Sequence, residues 1–235
     1  ELRTHLGNRV AIRDREGFAR ALSTEYAGRM VAADPERAVA AIFEALSVSG
    51  ATVAAVHDPV VLTKATKNAT EIAGHDAAQL RDNAALVRFL HWISSAGPRG
   101  TETELSAAAK LQSFREQTGL LVDLSFDTIS GAGPNGAIVH YRAEERTNRA
   151  IAPDMLYLLD SGGQYRDGTT DITRTIAIGT PTEQMRHRFT LVLKGHIALA
   201  RALFPEGTRG SQLDVLARRA LWEHGLDYAH GTGHG

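Results

Sequence analysis

Apolar side chains in residues 70–94 recur every three or four positions, which predicts an amphipathic α-helix. The stripe consists of Ile72, Leu80, Ala84, Val87, Leu90 and Ile93. The run Gly97-Pro-Arg-Gly100 ends this helix. Thr101 with Glu104 has the capping-box pattern that begins a second helix, and Gly119 ends it. Two consecutive helices therefore precede the glycine-rich centre of the chain.

Residues 120–178 change to strand-like runs separated by glycine-containing turns. The predicted strands are 120–123, 136–141, 155–160 and 171–178. Thr180-Pro-Thr-Glu183 is a capping box with proline at the first helical position, so a helix should follow to about residue 203. A last helix is predicted over 211–224. Two helices before the sheet and two after it in the sequence indicate an α+β domain in which helices cover one face of the sheet.

The first part of the chain has the pattern of a smaller α/β domain. A helix is predicted over 38–46 with Asp34-Pro35 at its start, and a short strand over 52–56. The polar run 64–68 has the composition of a linker. We therefore predict one domain over residues 1–62 and a second over 63–235.

Composition removes several function classes. Lys+Arg 26 against Asp+Glu 27 leaves no basic field, so we expect neither a nucleic-acid partner nor a membrane surface. Cysteine is absent, which excludes disulfides, zinc–thiolate sites and a cysteine nucleophile. Any metal must then use oxygen and imidazole ligands. The absence of cysteine and of a signal-peptide pattern at the first residues favours a cytoplasmic location.

Asp160 and Asp171, eleven positions apart, are the strongest chemical signal. Asp160 ends an apolar strand and Asp171 begins the next, so a hairpin would bring the two carboxylates to one point. Two carboxylates at such a short distance repel each other unless a cation lies between them. Asp167 precedes a glycine and is interpreted as an ordinary turn residue. The pair therefore predicts a metal site at the open end of a hairpin.

Histidines near the end of the sequence offer nitrogen ligands. His230-Gly-Thr-Gly-His-Gly235 is too rich in glycine for a helix, and an extended backbone places His230 and His234 on the same side. A tail with incidental histidines is the alternative, but two of them in one glycine-rich motif favour a function. His140 ends a predicted strand, and its position alone gives only weak support for a catalytic role.

These motifs resemble the Xaa-Pro aminopeptidase (aminopeptidase P) family of pita-bread metallopeptidases. The resemblance lies in Asp160-Ser-Gly-Gly-Gln-Tyr-Arg-Asp-Gly-Thr-Thr-Asp-Ile-Thr-Arg-Thr, in the His230 motif and in Gly133-Pro-Asn-Gly-Ala-Ile-Val-His-Tyr141. Further similarity in Lys64-Ala-Thr-Lys-Asn-Ala-Thr-Glu and Leu193-Lys-Gly-His extends it over nearly the whole chain. The resemblance implies a pita-bread catalytic domain over 63–235, preceded by the end of a creatinase N-terminal-like domain.

The resemblance also implies a site and a reaction. Asp160 would bind one of two divalent metal ions, most often Mn with Zn or Co as alternatives, Asp171 would bridge them, and His234 would bind the second. His140 and His230 would hold the substrate or stabilise the tetrahedral intermediate. The reaction would be release of an N-terminal residue from peptides with Pro at the second position, by a homodimer.

The same resemblance raises an expectation about the extent of the chain. The family uses two further glutamate ligands beyond the position of His234, so we expect the 235 residues to be an internal piece that holds metal weakly and has little activity alone. Two alternatives stay open. One is a prolidase that cleaves Xaa-Pro dipeptides, and the other is a non-catalytic pita-bread domain that binds peptides.

Overall fold

The computed structural model describes residues 2–7 and 10–234. The chain divides into two compact units, Glu1–Asn68 and Ala69–Gly235. The boundary drawn from sequence, after residue 62, differs from this division because it falls within the helix Pro59–Ala65. The interpretation of the first unit as the end of a creatinase N-terminal-like domain stays a prediction.

The first unit is built around a parallel strand pair. Its elements are α1 (Leu2–Leu6), α2 (Phe18–Glu25), β1 (Met30–Ala33), α3 (Ala40–Ser49), β2 (Thr52–Ala55) and α4 (Pro59–Ala65), with a 3-10 turn at Arg15–Gly17. Strands β1 and β2 pair in parallel, with Met30 opposite Thr52. Parallel strands need a crossover connection, and α3 supplies it.

Asp34 does not begin α3, contrary to the prediction. The helix starts after Val39, and the Asp34 carboxylate instead accepts from the backbone N–H groups of Glu36, at 2.9 Å, and Asp58, at 2.8 Å. These two bonds hold the pKa of Asp34 below its usual value, because they favour the charged form. The side chain therefore ties the residues after β1 to those after β2.

The second unit is two helices, a sheet, and two more helices. Its elements are α5 (Ala69–Ala96), α6 (Glu104–Glu116), β3 (Asp123–Leu124), β4 (Ile129–Ala132), β5 (Met155–Ser161), β6 (Gly163–Gln164), β7 (Ile172–Ile178), α7 (Glu183–Ala200) and α8 (Gly210–Trp222), with 3-10 turns at Gly97–Arg99 and Gly133–Ala137. Strands β4, β5 and β7 form an antiparallel sheet in that order, and β3 pairs with β6. Helices α7 and α8 pack against each other.

The core lies between helices α5 and α6 and one face of this sheet. It contains Leu86, Phe89, Ile93, Ala107, Leu111, Ala132, Ile151, Tyr157, Leu159 and Ile178. Along β5 the side chains of Tyr157, Leu159 and Ser161 are buried, while those between them are less so. This alternation follows from the two-residue period of a strand, and it directs Asp160 to the face that is turned away from the helices.

Several boundaries differ from prediction. Thr103, not Thr101, caps α6 and forms a capping box with Ser106, and Thr182, not Thr180, caps α7. The predicted strand 136–141 is absent: Gly133–Ala137 is a 3-10 turn, and the strand in this region is β4. Proline at 134 and the positive φ of Gly133, 56°, favour that turn over a ladder. In the residues described, no helix is both long and apolar enough to span a membrane.

Candidate metal centre

The hairpin β5–β7 brings Asp160 and Asp171 to one point, as predicted. Asp160 lies opposite Thr173 in the antiparallel register, and Asp171 directly precedes β7. The pKa of Asp160 is raised, first by burial and then by the negative charge of Asp171. The Thr173 hydroxyl and the imidazole of His234 act in the opposite direction. The Asp171 carboxylate therefore disfavours the charged form of Asp160.

One oxygen of Asp160 is buried without a hydrogen-bond partner. Of the side-chain atoms described, only Oδ1 of Asp160 and Nη1 of Arg115 are in this condition. A buried carboxylate oxygen without a donor is unfavourable by about 1–3 kcal/mol or more. A cation beside Asp160 and Asp171 would remove this penalty and the repulsion together. The carboxylate pair therefore fits a divalent metal ion.

His234 completes the donor set that the described residues provide. Its Nε2 atom lies 3.3 Å from Oδ2 of Asp171, and its side chain is 79% exposed. Two carboxylates and one imidazole are an oxygen–nitrogen set that suits Mn, Zn or Co. Within residues 2–7 and 10–234, however, no three acidic, histidine or cysteine side chains are arranged around a common point as ligands of one ion. The structure shows a partial ligand set.

His230 lies four positions before His234 in sequence but has other contacts. Its ring stacks on Tyr228 with centroids 4.6 Å apart, and its Nδ1 lies 2.8 Å from the carbonyl oxygen of Gly231. Arg218 of α8 donates to the carbonyl oxygen of His230 at 2.9 Å. The backbone position of His230 is therefore set by a helix, while its ring stays exposed.

His140 does not end a strand. It lies on an exposed turn and has a φ of 54°, in the left-handed region that side chains other than glycine seldom occupy. Of the histidines in the described part of the chain, His234 is the one within ion-pair distance of Asp171. The structure thus places Asp160, Asp171 and His234 together and leaves His140 on a loop and His230 beside Tyr228.

Arg218 and Asp214 hold the histidine segment, and sequence reasoning missed both. Arg218 donates to Asp214 at 2.7 Å, to Asp227 at 2.8 Å and to the carbonyl oxygen of Tyr228 at 2.6 Å. Its guanidinium also lies over the ring of Tyr228, 4.0 Å from the centroid. Asp214 in turn accepts from the Thr232 hydroxyl. The sequence feature that could have identified them is their spacing, because an Asp and an Arg four positions apart lie on one face of a helix.

A second network lies behind Asp160. Arg115 donates to both oxygens of Asp82, at 2.7 and 3.0 Å, and to the hydroxyl of Ser161 at 3.1 Å. Tyr165 donates to Asp82 at 2.8 Å. Ser161 neighbours Asp160, so the network supports the end of the strand that carries the candidate ligand. The sequence signal for this network was one charged residue among the apolar positions of each helix, Asp82 in α5 and Arg115 in α6.

Asp167 lies in the predicted turn and also forms an ion pair. Arg81 of α5 donates to its two carboxylate oxygens at 3.1 and 2.8 Å. This pairing lowers the pKa of Asp167. The contrast with Asp160, whose pKa is raised, separates a paired carboxylate at the hairpin turn from an unpaired one at its base.

An antiparallel sheet with helices over one face and two acidic residues close together beside it defines an α+β protein with a candidate metal site. The sequence model of metallopeptidase family M24 matches residues 73–235. The chain belongs to this family. Its α+β, pita-bread fold agrees with the prediction.

Curated relatives share this similarity. The chain is 49% identical over 201 residues to the probable Xaa-Pro aminopeptidase P of Laccaria bicolor, covering 85% of the chain and 31% of that protein. It is 43% identical to the probable Xaa-Pro aminopeptidase P of Paracoccidioides brasiliensis (strain Pb03), covering 100% of the chain and 40% of the relative. The chain therefore spans about a third of the length of these relatives.

Solved structures of peptidases also resemble this chain. The X-prolyl aminopeptidase of Caenorhabditis elegans, a cytosolic enzyme with a di-nuclear active site, superposes with a TM-score of 0.78 at 44% identity, over 88% of this chain and 34% of that one. The prolidase of Pyrococcus furiosus superposes with a TM-score of 0.69 at 22% identity, over 92% of this chain and 60% of that one. The second likeness concerns the fold alone.

Proposed function

We propose that the protein is a metal-dependent aminopeptidase that releases the N-terminal residue from peptides with Pro at the second position. The observation that carries the proposal is the buried, unpartnered Oδ1 of Asp160 beside the Asp171 carboxylate. A site that disfavours the charged form of a carboxyl group in the absence of metal is stabilised when a cation binds there. The relatives named Xaa-Pro aminopeptidase support the choice of substrate.

The metal would be held by Asp160, Asp171 and His234, together with ligands from outside this partial set. Asp160 would bind one ion, Asp171 would bridge two, and His234 would bind the second, with Mn as the proposed metal and Zn or Co as alternatives. When bound, such a pair of ions polarises a scissile carbonyl group and activates a water molecule. The di-nuclear site of the Caenorhabditis elegans enzyme supports two ions.

The remaining site residues act on the peptide. The imidazoles of His140 and His230, both exposed, would hold the substrate or stabilise the carbonyl oxygen that gains charge in the transition state. Arg218 keeps the backbone of His230 in place. We further propose that the protein acts in the cytoplasm as a homodimer, which the cytosolic relative supports for the location alone.

A substrate comparison tests the proposal. The full-length protein, loaded with Mn²⁺, is assayed with an Xaa-Pro dipeptide and with an Xaa-Pro-Xaa tripeptide. Release of the first residue from the tripeptide is the expected result. Cleavage of the dipeptide alone would favour a prolidase. Tight peptide binding with no cleavage of either substrate would favour the non-catalytic module.

A further inference from the structure

Glu104 is a buried acidic residue that the proposed mechanism does not use. Its side chain is 0% exposed, although it lies in the first turn of α6, where acidic residues usually face solvent. It is not needed for capping, because Thr103 and Ser106 form the capping box. Burial of a carboxylate is unfavourable by several kcal/mol unless donors compensate it. Its presence therefore needs a reason beyond the helix.

Four donor groups converge on the Glu104 carboxylate. Oε1 accepts from the backbone N–H of Ala132 at 2.7 Å and from the amide of Asn135 at 2.9 Å. Oε2 accepts from the hydroxyl of Tyr141 at 2.8 Å and from the backbone N–H of Arg149 at 3.0 Å. All four donors are uncharged groups, so the carboxylate acts as an acceptor hub.

The four donors belong to one segment of the chain. Residues 133–154 connect β4 to β5 and contain one 3-10 turn and an isolated bridge from Ala150 to Thr103. Glu104 holds this connection at its start (Ala132), near its middle (Tyr141) and at Arg149. Asn135 also donates to the Tyr141 hydroxyl at 2.8 Å, which links two of the held points. The hydrogen bonds to Glu104, together with the antiparallel bridge between Thr103 and Ala150, thus fix the path of this connection.

His140 lies inside this held segment, directly before Tyr141. Its positive φ of 54° is unfavourable for a residue with a side chain and persists only where the surroundings impose it. The bond from the Tyr141 hydroxyl to Glu104 fixes the residue next to it. Burial, together with the nearby Glu104 carboxylate, raises the pKa of Tyr141, so the phenol keeps its donor proton.

We propose that Glu104 is a positioning residue that sets the backbone of residues 132–149 so that the imidazole of His140 faces the peptide substrate. This inference rests on the proposed function, in which His140 contacts the substrate. Glu104 itself touches neither substrate nor metal. It affects catalysis only through the position of residues 132–149, the segment that carries His140.

The test is a double-mutant cycle on the full-length, Mn²⁺-loaded enzyme, with Glu104→Gln, His140→Ala and the double variant. Gln keeps the shape but turns one acceptor into a donor that faces other donors. A displaced catalytic group lowers the rate by about 10²-fold, so we expect kcat/KM of Glu104→Gln to fall roughly 10- to 100-fold, mostly in kcat, with metal content unchanged. The double variant should be no less active than His140→Ala.

Two further variants keep the outcome interpretable. Tyr141→Phe removes one donor and leaves the others, so it should fold even if Glu104→Gln does not, and its loss should also vanish in the His140→Ala background. Glu102→Gln is the matched control: its carboxylate, two residues away, accepts from Ser106 and from none of the four donors. It should keep the kcat of the parent enzyme.

The failures can be told apart. If His140→Ala is fully active, the role of His140 is wrong and the inference falls with it. If His140→Ala is impaired but Glu104→Gln and Tyr141→Phe are fully active, the inference alone is overturned. Losses that multiply in the double variant would also overturn it, because they show that Glu104 does not act through His140.

Discussion

Arg115 and Asp82 form an ion pair in which both side chains are buried, with 0% and 1% of their surface exposed. The guanidinium meets the carboxylate with two parallel hydrogen bonds of 2.7 and 3.0 Å. The pair joins α6 to α5, and the same guanidinium reaches Ser161 at the end of β5. Loss of Arg115 would leave the Asp82 charge buried without a cation, although the Tyr165 hydroxyl would still donate to it.

Replacement of Arg115 should therefore destabilise the second unit strongly. In Arg115→Met the Asp82 charge stays buried and unpaired, so we expect a loss of about 3–5 kcal/mol in the free energy of unfolding. Urea unfolding followed by tryptophan fluorescence measures it, since Trp92 and Trp222 both lie in this unit. Adding Asp82→Asn should restore most of the loss. Arg146→Met, which breaks an exposed pair with Glu144, is the control, and a similar loss there would refute the assignment.

The raised pKa of Asp160 predicts a stability gain on its neutralisation. A carboxyl whose pKa is higher in the folded state favours folding fully below its ordinary value of 3.8, and this contribution is lost as pH rises through the folded-state pKa. In metal-free protein at pH 7, Asp160→Asn should thus raise the thermal midpoint, by roughly 2–4 °C for each kcal/mol gained. The difference should disappear under acid conditions.

The matched control for this experiment is Asp76→Asn, an exposed carboxyl on α5. It should leave the midpoint unchanged at both pH values. A lower midpoint for Asp160→Asn at pH 7 would show that the Asp160 carboxylate is stabilised in the metal-free fold.

Asp171→Asn should reduce bound metal and abolish activity in the full-length protein. If Asp171 bridges two ions, its loss removes one ligand from each of them. Metal content is measured by elemental analysis after dialysis, beside Asp167→Asn as control, because Asp167 pairs with Arg81 at the turn. Unchanged metal stoichiometry in Asp171→Asn would contradict the bridging role.

Gly162 lies where the hairpin leaves β5 and leaves no space for a side chain. A Cβ atom there would collide with the carbonyl oxygen of Thr170 and the hydroxyl of Ser125. Gly162→Ala should therefore lower stability by roughly 3 kcal/mol, at the upper end for overpacking, and weaken metal binding because the carboxylates separate. Gly210→Ala, with open space around it, should be neutral or slightly stabilising. Equal stability of the two variants would show that the hairpin adjusts without strain.

The hairpin was predictable from sequence because its determinants are local. An unbroken apolar run before Asp160, a glycine-containing turn and a second strand-like run after Asp171 specify the two strands. The resulting proximity of Asp160 and Asp171 follows from chain geometry. The metal-binding roles of Asp160, Asp171 and His234 stay predictions, as do the substrate-side roles of His140 and His230.

The errors arose where tertiary partners decided between local alternatives. Both Thr101 and Thr103 can cap a helix, and Thr103 does so in a frame that leaves the Glu104 side chain inside to bind Ala132 and Tyr141. Ile138 and Val139 gave residues 136–141 the composition of a strand, but Pro134 and the bonds to Glu104 hold the region in turns. The Arg115–Asp82 pair could not be predicted from local sequence patterns, because its partners are 33 positions apart.

Strand β5 serves folding with one set of side chains and chemistry with the other. Tyr157 and Leu159 are buried against the helices, whereas Asp160 points to the opposite face. Substitutions along residues 155–161 should therefore alternate in phenotype from one position to the next. Variants at the inward positions would lower the yield of folded protein, and Asp160 variants would accumulate as stable, inactive protein. The strand thus lets selection for activity and selection for foldability act on interleaved, nearly independent sets of codons.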